Sequence, residues 1–408
     1  MDKIALMFPG QGSQFTGMGK KLHDKYLEVR EIYEEANDVL GFDLGKLCFE
    51  GSEEELLKTE NAQPAILTAS VAVFKVYMKE IGIVPSYCAG HSLGEYSALV
   101  CAGAIRFSEA LRIVRSRGLF MQEAVSHGKG AMVAVSGIDK SIVEEKCKEY
   151  SSKNNFSVIS NYNSSVQVVI SGHKDMVLMV KDELDRLGAR TVQLKVSAPF
   201  HCPLMYPAAI KLKWELEKCL FNEMEWPVIS NVTALPYTGK DEVVENLVSQ
   251  ITYPVKWQQT IEFMQSNGVT KAIELGPQSI LKNLIAKNTS TIKAFSYDKE
   301  EDIQELLKLI SSNESKFEKD YNNFNLLYKC LAVAVSTRNQ NWDDEKYKTG
   351  VVEPYKKIQH MIESLENVGV EPSAEQIQEA LSLLRCILNT KMLPLNEQQE
   401  WLKEVMEA

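Results

Sequence analysis

The tightest constraint on this chain is a single octapeptide, Cys88-Ala89-Gly90-His91-Ser92-Leu93-Gly94-Glu95. Gly90-x-Ser92-x-Gly94 has the spacing of a nucleophile elbow, a sharp strand-to-helix turn that lifts a serine hydroxyl above the edge of a sheet. Side chains at the two glycine positions would collide with neighbouring backbone. Such a turn needs a strand before it and a helix after it. An apolar segment leads in, and residues 96–104 carry a helical pattern. The helix would aim its amide end at the serine and favour negative charge developing there. The octapeptide thus predicts an α/β domain with an activated serine.

A serine at neutral pH needs a base. His91 is adjacent, but on an elbow its side chain points away from that of Ser92, so it reads as packing or turn support. The better candidate is His201, in Pro199-Phe200-His201-Cys202-Pro203, where prolines stiffen the loop. Taken alone, a loop histidine is more often structural. Glu95 reads as a carboxylate of a helix first turn. Arg112, Arg115 and Arg117 suggest a solvated basic helix face, although helix periodicity prevents Arg117 from sharing one face with both others.

Composition excludes several classes. A net charge of -10 argues against a general nucleic-acid binder, which needs a basic surface. The 8 cysteines form no CxxC pair and read as reduced, mostly buried thiols. The 6 histidines form no HExxH and pair with no cysteine at zinc-ligand spacing, so no metal is expected. The apolar run at residues 4–8 is too short for a signal peptide, and no stretch approaches the ~20 apolar residues of a membrane span. The expected location is cytoplasmic.

At 408 residues the chain suits two or three domains. Residues 4–8 read as a buried strand ended by Pro9-Gly10. Position 15 is Phe15, so the glycine pattern that follows fits no nucleotide fingerprint. Helices are expected at 29–40, capped by Gly41, and at 64–78, with a capping box at Ser52 and Glu55 between them. Strands at 132–135, 156–161, 166–171 and 191–196 alternate with helices at 140–150 and near 176–187. This β-α-β-β-α-β order is that of a ferredoxin-like unit inserted into a larger α/β domain, which resumes near 199 with strands at 227–232 and 272–275. Residues 311–315 read as a linker. Helices follow it, one ended by Gly369 and one opened by a capping box at Ser373 and Gln376.

Several motifs in one order carry a resemblance. Pro9-Gly10-Gln11-Gly12-Ser13-Gln14, then Gly90-His91-Ser92-Leu93-Gly94-Glu95, Arg117 ahead of Met121-Gln122, Asn163 with Gln167, Phe200-His201, Gln250 ahead of Tyr253-Pro254-Val255-Lys256-Trp257, and Glu274-Leu275-Gly276-Pro277 resemble the malonyl-CoA:acyl carrier protein transacylase family over roughly residues 1–310. The resemblance implies that Ser92 takes up the acyl group, that His201 is general base and acid, and that the backbone carbonyl of Gln250 orients the histidine. It implies an oxyanion hole from the amides of Gln11 and Leu93. Arg117 would hold the malonyl carboxylate, with Met121, Phe200, Asn163 and Gln63 on the substrate side. Phe200 resembles the malonyl-selective form, in which a bulky ring hinders a 2-methyl substituent.

The fold so implied is an α/β-hydrolase-like large domain (1–128 and 199–310), an inserted ferredoxin-like small domain (129–198) and a C-terminal helical extension (311–408). Malonyl-CoA would be the substrate, with no bound cofactor. The partner would be an acyl carrier protein, or a synthase's carrier domains, bearing phosphopantetheine. Arg112, Arg115, Lys282 and Lys287 are carrier-docking candidates by sign of charge alone. The chain departs from the family at Ser165-Val166, where Pro-Gly is usual, and in its extension, which resembles freestanding acyltransferases serving polyketide synthases. Fatty acid and polyketide pathways both stay open. So do an acyl hydrolase that clears carrier proteins, against which Arg117 argues, and a non-catalytic carrier-docking scaffold.

Overall fold

The computed structural model describes residues 3–126, 128–196, 198–341 and 343–406 and divides into two compact units, Met1–Gln304 and Glu305–Ala408. The first unit is mixed α/β with two sheets. Its larger sheet has five strands, β1 (Lys3–Phe8), β2 (Tyr87–Gly90), β7 (Val228–Ile229), β8 (Val269–Glu274) and β9 (Lys293–Ser296), in the order β7-β2-β1-β8-β9. All four pairings are parallel.

Parallel strands are buried on both faces, and β1 obeys this rule. Ala5 and Met7 join a core with Trp257, Ile261 and Met264, and the alternate residues Ile4, Leu6 and Phe8 are buried as well. Phe8 pairs with Gly90 and Met7 with Glu274, so the loops that leave β1, β2 and β8 emerge side by side. Ligands of open α/β sheets bind at this carboxyl edge.

The second sheet is antiparallel: β3 (Gly130–Ser136), β4 (Ser157–Ser164), β5 (Gln167–His173) and β6 (Arg190–Gln193), in the order β4-β5-β3-β6. Side chains alternate across it with period two. Val133, Val135, Val168 and Ile170 pack on helices Lys140–Tyr150 and Lys174–Arg186 through Val143, Cys147, Val177, Val180 and Leu184. The intervening Met132, Ala134 and Val169 face the other way and line a cavity. One face of this sheet therefore builds a small core, and the other builds a wall of the site.

The second unit is helical, with helices Glu353–Val368, Ala374–Thr390 and Leu395–Met406 and its own core of Leu327, Cys330, Ile358, Ile362, Leu384 and Val405 among others. Ser373 and Gln376 make the expected capping box, and Gly369 closes the preceding helix at φ 67°. Lys391, buried, donates from Nζ to the carbonyls of Ala334 (2.6 Å) and Thr337 (2.8 Å), satisfying groups at the end of helix Glu300–Ser336.

Three expectations need correction, and one strand went unforeseen. The segment at 311–315 is no linker, because helix Glu300–Ser336 runs through it; Ser and Asn cost a helix interior only about 0.5 kcal/mol each. The helix expected from residue 64 begins at Thr59, and Pro64 lies inside it. The last strand of the small sheet ends at Gln193 rather than 196. The short parallel edge strand β9 was not anticipated, since four residues are too few to show a pattern. Gly41 caps its helix as expected, at φ 72°.

Candidate active site

Ser92 sits between β2 and helix Leu93–Cys101 at φ 53° and ψ -104°, a strained conformation for a residue with a side chain. The glycines on either side explain how the turn closes. A Cβ on Gly90 would lie 1.9 Å from the carbonyl group of Gly94, and one on Gly94 would lie 1.9 Å from the Phe8 oxygen. Asn231, just past β7, clamps the turn from below. Its Oδ1 accepts from the Ser92 amide (2.6 Å), and its Nδ2 donates to the Gly90 carbonyl (2.6 Å).

The Ser92 hydroxyl and His201 Nε2 are 2.7 Å apart, and His201 Nδ1 lies 2.7 Å from the Gln250 carbonyl oxygen. A carbonyl can only accept, so Nδ1 carries the proton and Nε2 presents its lone pair to the hydroxyl. Gln250 ends helix Val243–Gln250, where carbonyls have no partner within the helix. His201 is buried and held at φ 57°. Burial, reinforced by the positive charge of Arg117 and opposed by the Gln250 bond, pulls its pKa down to about 3. The imidazole is thus neutral at physiological pH and able to accept a proton.

Arg117, only 2% exposed, projects from helix Phe107–Glu123. Its Nη2 donates to Ser92 Oγ (3.1 Å) and to Gln250 Oε1 (2.9 Å). Burial lowers its pKa, opposed by Tyr96 and Glu95. Its sequence neighbours go elsewhere. Arg112 is exposed, and Arg115 stacks over Phe42 at 4.6 Å and donates to Asn61 (3.4 Å). The periodicity argument that set Arg117 apart from them agrees with this placement.

These groups open into a cavity of about 380 Å³, inside the range of small-molecule sites. Gln11 and Leu93 line it beside Ser92, as do Met121, Asn163 and Phe200. Leu93 opens its helix, so its amide is one of the first-turn donors with no acceptor in the helix. Gln63 is buried next to Met121, its Nε2 3.9 Å from the Met121 sulfur, and is not among the residues that line the cavity. His91 turns away from Ser92, as expected on an elbow. Its Nε2 meets Asn163 Oδ1 at 3.0 Å, which ties the elbow to the small sheet, and its ring meets Trp257 at a tilt of 59° with centroids 5.6 Å apart.

Sequence reasoning missed the network beneath the site. Glu95, read as a helix-terminal carboxylate, is completely buried. Its Oε2 accepts from Gln250 Nε2 (2.7 Å) and the Asn231 amide (3.1 Å), and its Oε1 accepts from the Tyr237 hydroxyl. Burial pushes its pKa up to about 7 against the pull of these bonds and of Arg117. A carboxylate followed three positions after the nucleophile was visible, but its partners were not. Of the basic residues considered for docking, Lys282 pairs with Asp302 (2.7 Å) and Lys287 donates to Gln167 (2.8 Å). Among the described residues no cluster of His, Cys, Asp and Glu could hold a metal, and no helix is long and apolar enough to cross a membrane.

Comparison with known proteins agrees with the geometry. A family model described as the acyl transferase domain matches residues 6–318. A malonyl CoA-acyl carrier protein transacylase of Bacillus subtilis is 40% identical over 99% of this chain and 100% of its own length, so the match includes the helical unit. The transacylase of Escherichia coli K12 is 45% identical over 72% of this chain and 95% of its own. Among solved structures, a type II PKS acyl-carrier protein in complex with its malonyl-transacylase matches with a TM-score of 0.71 and 42% identity, over 74% of this chain and 97% of that one. The transacylase of Clostridium perfringens matches with a TM-score of 0.74 and 37% identity, over 78% and 99%. A likeness of this degree along 99% of its residues means that the chain belongs to the family of malonyl CoA-acyl carrier protein transacylases.

Proposed function

We propose that the protein transfers a malonyl group from malonyl-CoA to the phosphopantetheine thiol of an acyl carrier protein, through a malonyl ester on Ser92, for fatty acid or polyketide synthesis. His201 Nε2 takes the hydroxyl proton as Ser92 Oγ attacks the thioester carbonyl carbon. The amides of Leu93 and Gln11 receive the resulting oxyanion, each such donor being worth ~2.7–4 kcal/mol. The C–S bond then breaks, and the coenzyme A sulfur leaves with the proton from His201. In the second half the carrier thiol gives its proton to Nε2 and attacks the ester. Ser92 departs and recovers that proton. The Gln250 carbonyl keeps Nδ1–H in place throughout, the role an acid plays in hydrolase triads.

The observation that carries this reading is the position of Arg117, buried with Nη2 3.1 Å from Ser92 Oγ. A guanidinium there supplies paired donors to a carboxylate at the end of a three-carbon acyl group and finds nothing to bind in acetyl. Met121, Phe200 and Asn163 would shape the pocket around it, and Gln63 would act from behind Met121. We read residues 1–310 as an α/β-hydrolase-like domain (1–128 and 199–310) carrying a ferredoxin-like insert (129–198), supported by the parallel order around β2 and by the strand order β4-β5-β3-β6. We read residues 311–408 as the helical extension and propose a cytoplasmic location for the protein.

Intact-mass measurement after separate incubation with malonyl-CoA, acetyl-CoA and methylmalonyl-CoA tests the reading. Malonyl alone should add mass, Ser92→Ala should abolish the adduct, and holo-carrier should remove it. Release as free malonate, with no malonyl on the carrier, would refute transfer in favour of hydrolysis.

A further inference from the structure

Glu95 takes no part in the steps above, yet three separate elements spend hydrogen bonds on it. A fully buried carboxyl is costly unless donors surround it, and here the donors are Gln250 Nε2, the Asn231 amide and the Tyr237 hydroxyl. Two of these partners reach directly into the active site. Gln250 gives its carbonyl to His201 and its Oε1 to Arg117, and Asn231 holds the Ser92 amide and the Gly90 carbonyl.

The orientation of the Gln250 amide is the sensitive point. Its Nε2 faces two acceptors, Glu95 Oε2 at 2.7 Å and the Ser92 carbonyl at 3.0 Å, which leaves Oε1 for Arg117. Turned over, the amide would present its NH2 to the guanidinium, and donor would face donor. Glu95 supplies the shorter half of the preference for the observed orientation, 2.7 Å against 3.0 Å. A first-turn glutamate serving only the helix dipole would need none of these partners.

We propose that Glu95 is a positioning residue that sets acyl specificity: by fixing the Gln250 side chain, it holds the Arg117 fork where a free carboxylate on the acyl group is read. The proposal rests on the malonyl-transfer reading above. It acts through hydrogen bonds rather than net charge. Glu95→Gln can preserve the arrangement, with its carbonyl accepting from Gln250 and Asn231 and its NH2 donating to the Tyr237 oxygen.

The test compares full-length wild type, Glu95→Gln, Glu95→Ala, Gln250→Met and the double variant Glu95→Ala/Gln250→Met. Each is measured for kcat and KM with malonyl-CoA and acetyl-CoA, using holo-carrier as acceptor. Glu95→Gln should keep the malonyl-over-acetyl ratio of kcat/KM within about 3-fold, whereas Glu95→Ala should lower it by about 10-fold or more, chiefly through KM for malonyl-CoA. Gln250→Met keeps the backbone carbonyl and should show the same loss, with no further loss in the double variant, because the two residues act as one unit. Equal losses for both substrates in Glu95→Ala, a Glu95→Gln as unselective as Glu95→Ala, or additive losses would each overturn the proposal while wild type still prefers malonyl. A wild type that took acetyl as readily would instead overturn the malonyl reading, and this inference with it. If Glu95→Ala fails to fold, Gln250→Met decides: an unchanged ratio there overturns the relay.

Discussion

Arg117→Met should invert the character of the site while leaving its chemistry in place. Methionine keeps much of the side-chain volume and removes the charge from a position that is 2% exposed. In the resting site one nitrogen, Nη2, already serves Ser92 Oγ at 3.1 Å and Gln250 Oε1 at 2.9 Å. A malonyl carboxylate would gain one or two further charge-assisted bonds at roughly 1.5–3 kcal/mol each. At about 1.4 kcal/mol per tenfold, the loss predicts a fall of between about 10-fold and about 10⁴-fold in kcat/KM for malonyl-CoA. Acetyl makes no such bond, and its kcat/KM should move by less than about 5-fold. A second signature follows from charge. Arg117 is among the causes that pull the His201 pKa down to about 3, so its removal lets that pKa rise, and the acid limb of the rate profile should shift upward. The assay measures both acyl-CoA substrates against holo-carrier across pH 4–8. A folded variant whose malonyl-to-acetyl ratio stays within about 3-fold of wild type would refute the assignment of the carboxylate to Arg117.

Two further outcomes test the scaffold. Gly94→Ala should destabilise the protein by more than about 3 kcal/mol, or prevent soluble expression, because its Cβ would come within 1.9 Å of the Phe8 oxygen on rigid β1; a thermal melt within 2 °C of wild type would contradict the elbow geometry. Burial raises the Glu95 pKa from 4.5 to about 7, so its proton is held more tightly in the folded state than in the unfolded one. Its contribution to stability is then full below pH 4.5 and is lost as pH rises to about 7, by an amount on the order of 3 kcal/mol. Denaturation of wild type and Glu95→Gln from pH 4 to 8 should therefore show the glutamine variant gaining on wild type between those values and the difference levelling off above them; a pH-independent difference would show that Glu95 titrates normally.

What could be read from the sequence, and what could not, divides along a physical line. The elbow was legible because its requirements are local: Gly90 and Gly94 are demanded by backbone atoms within the turn and on β1, and the spacing alone states them. The helix ends at Gly41, Gly369 and Ser373 were legible for the same reason. The alternation of β-branched strands with two helices likewise revealed the small sheet, although not that its second face would wall the cavity with Met132, Ala134 and Val169. Glu95 belongs to the other class. Its donors lie 136, 142 and 155 positions away, and nothing in its own neighbourhood distinguishes a buried, triply bonded carboxylate from a solvated one at a helix start. Asn231 is hidden in the same way, beside a strand of two residues. The group that orients His201 is the extreme case. It is a main-chain carbonyl, which every residue possesses, so no side chain at position 250 could announce it, and only resemblance to a family pointed there. A triad built on a backbone acceptor leaves two-thirds of its signature in the sequence. The missing third becomes visible only when the end of helix Val243–Gln250 is seen against the histidine loop.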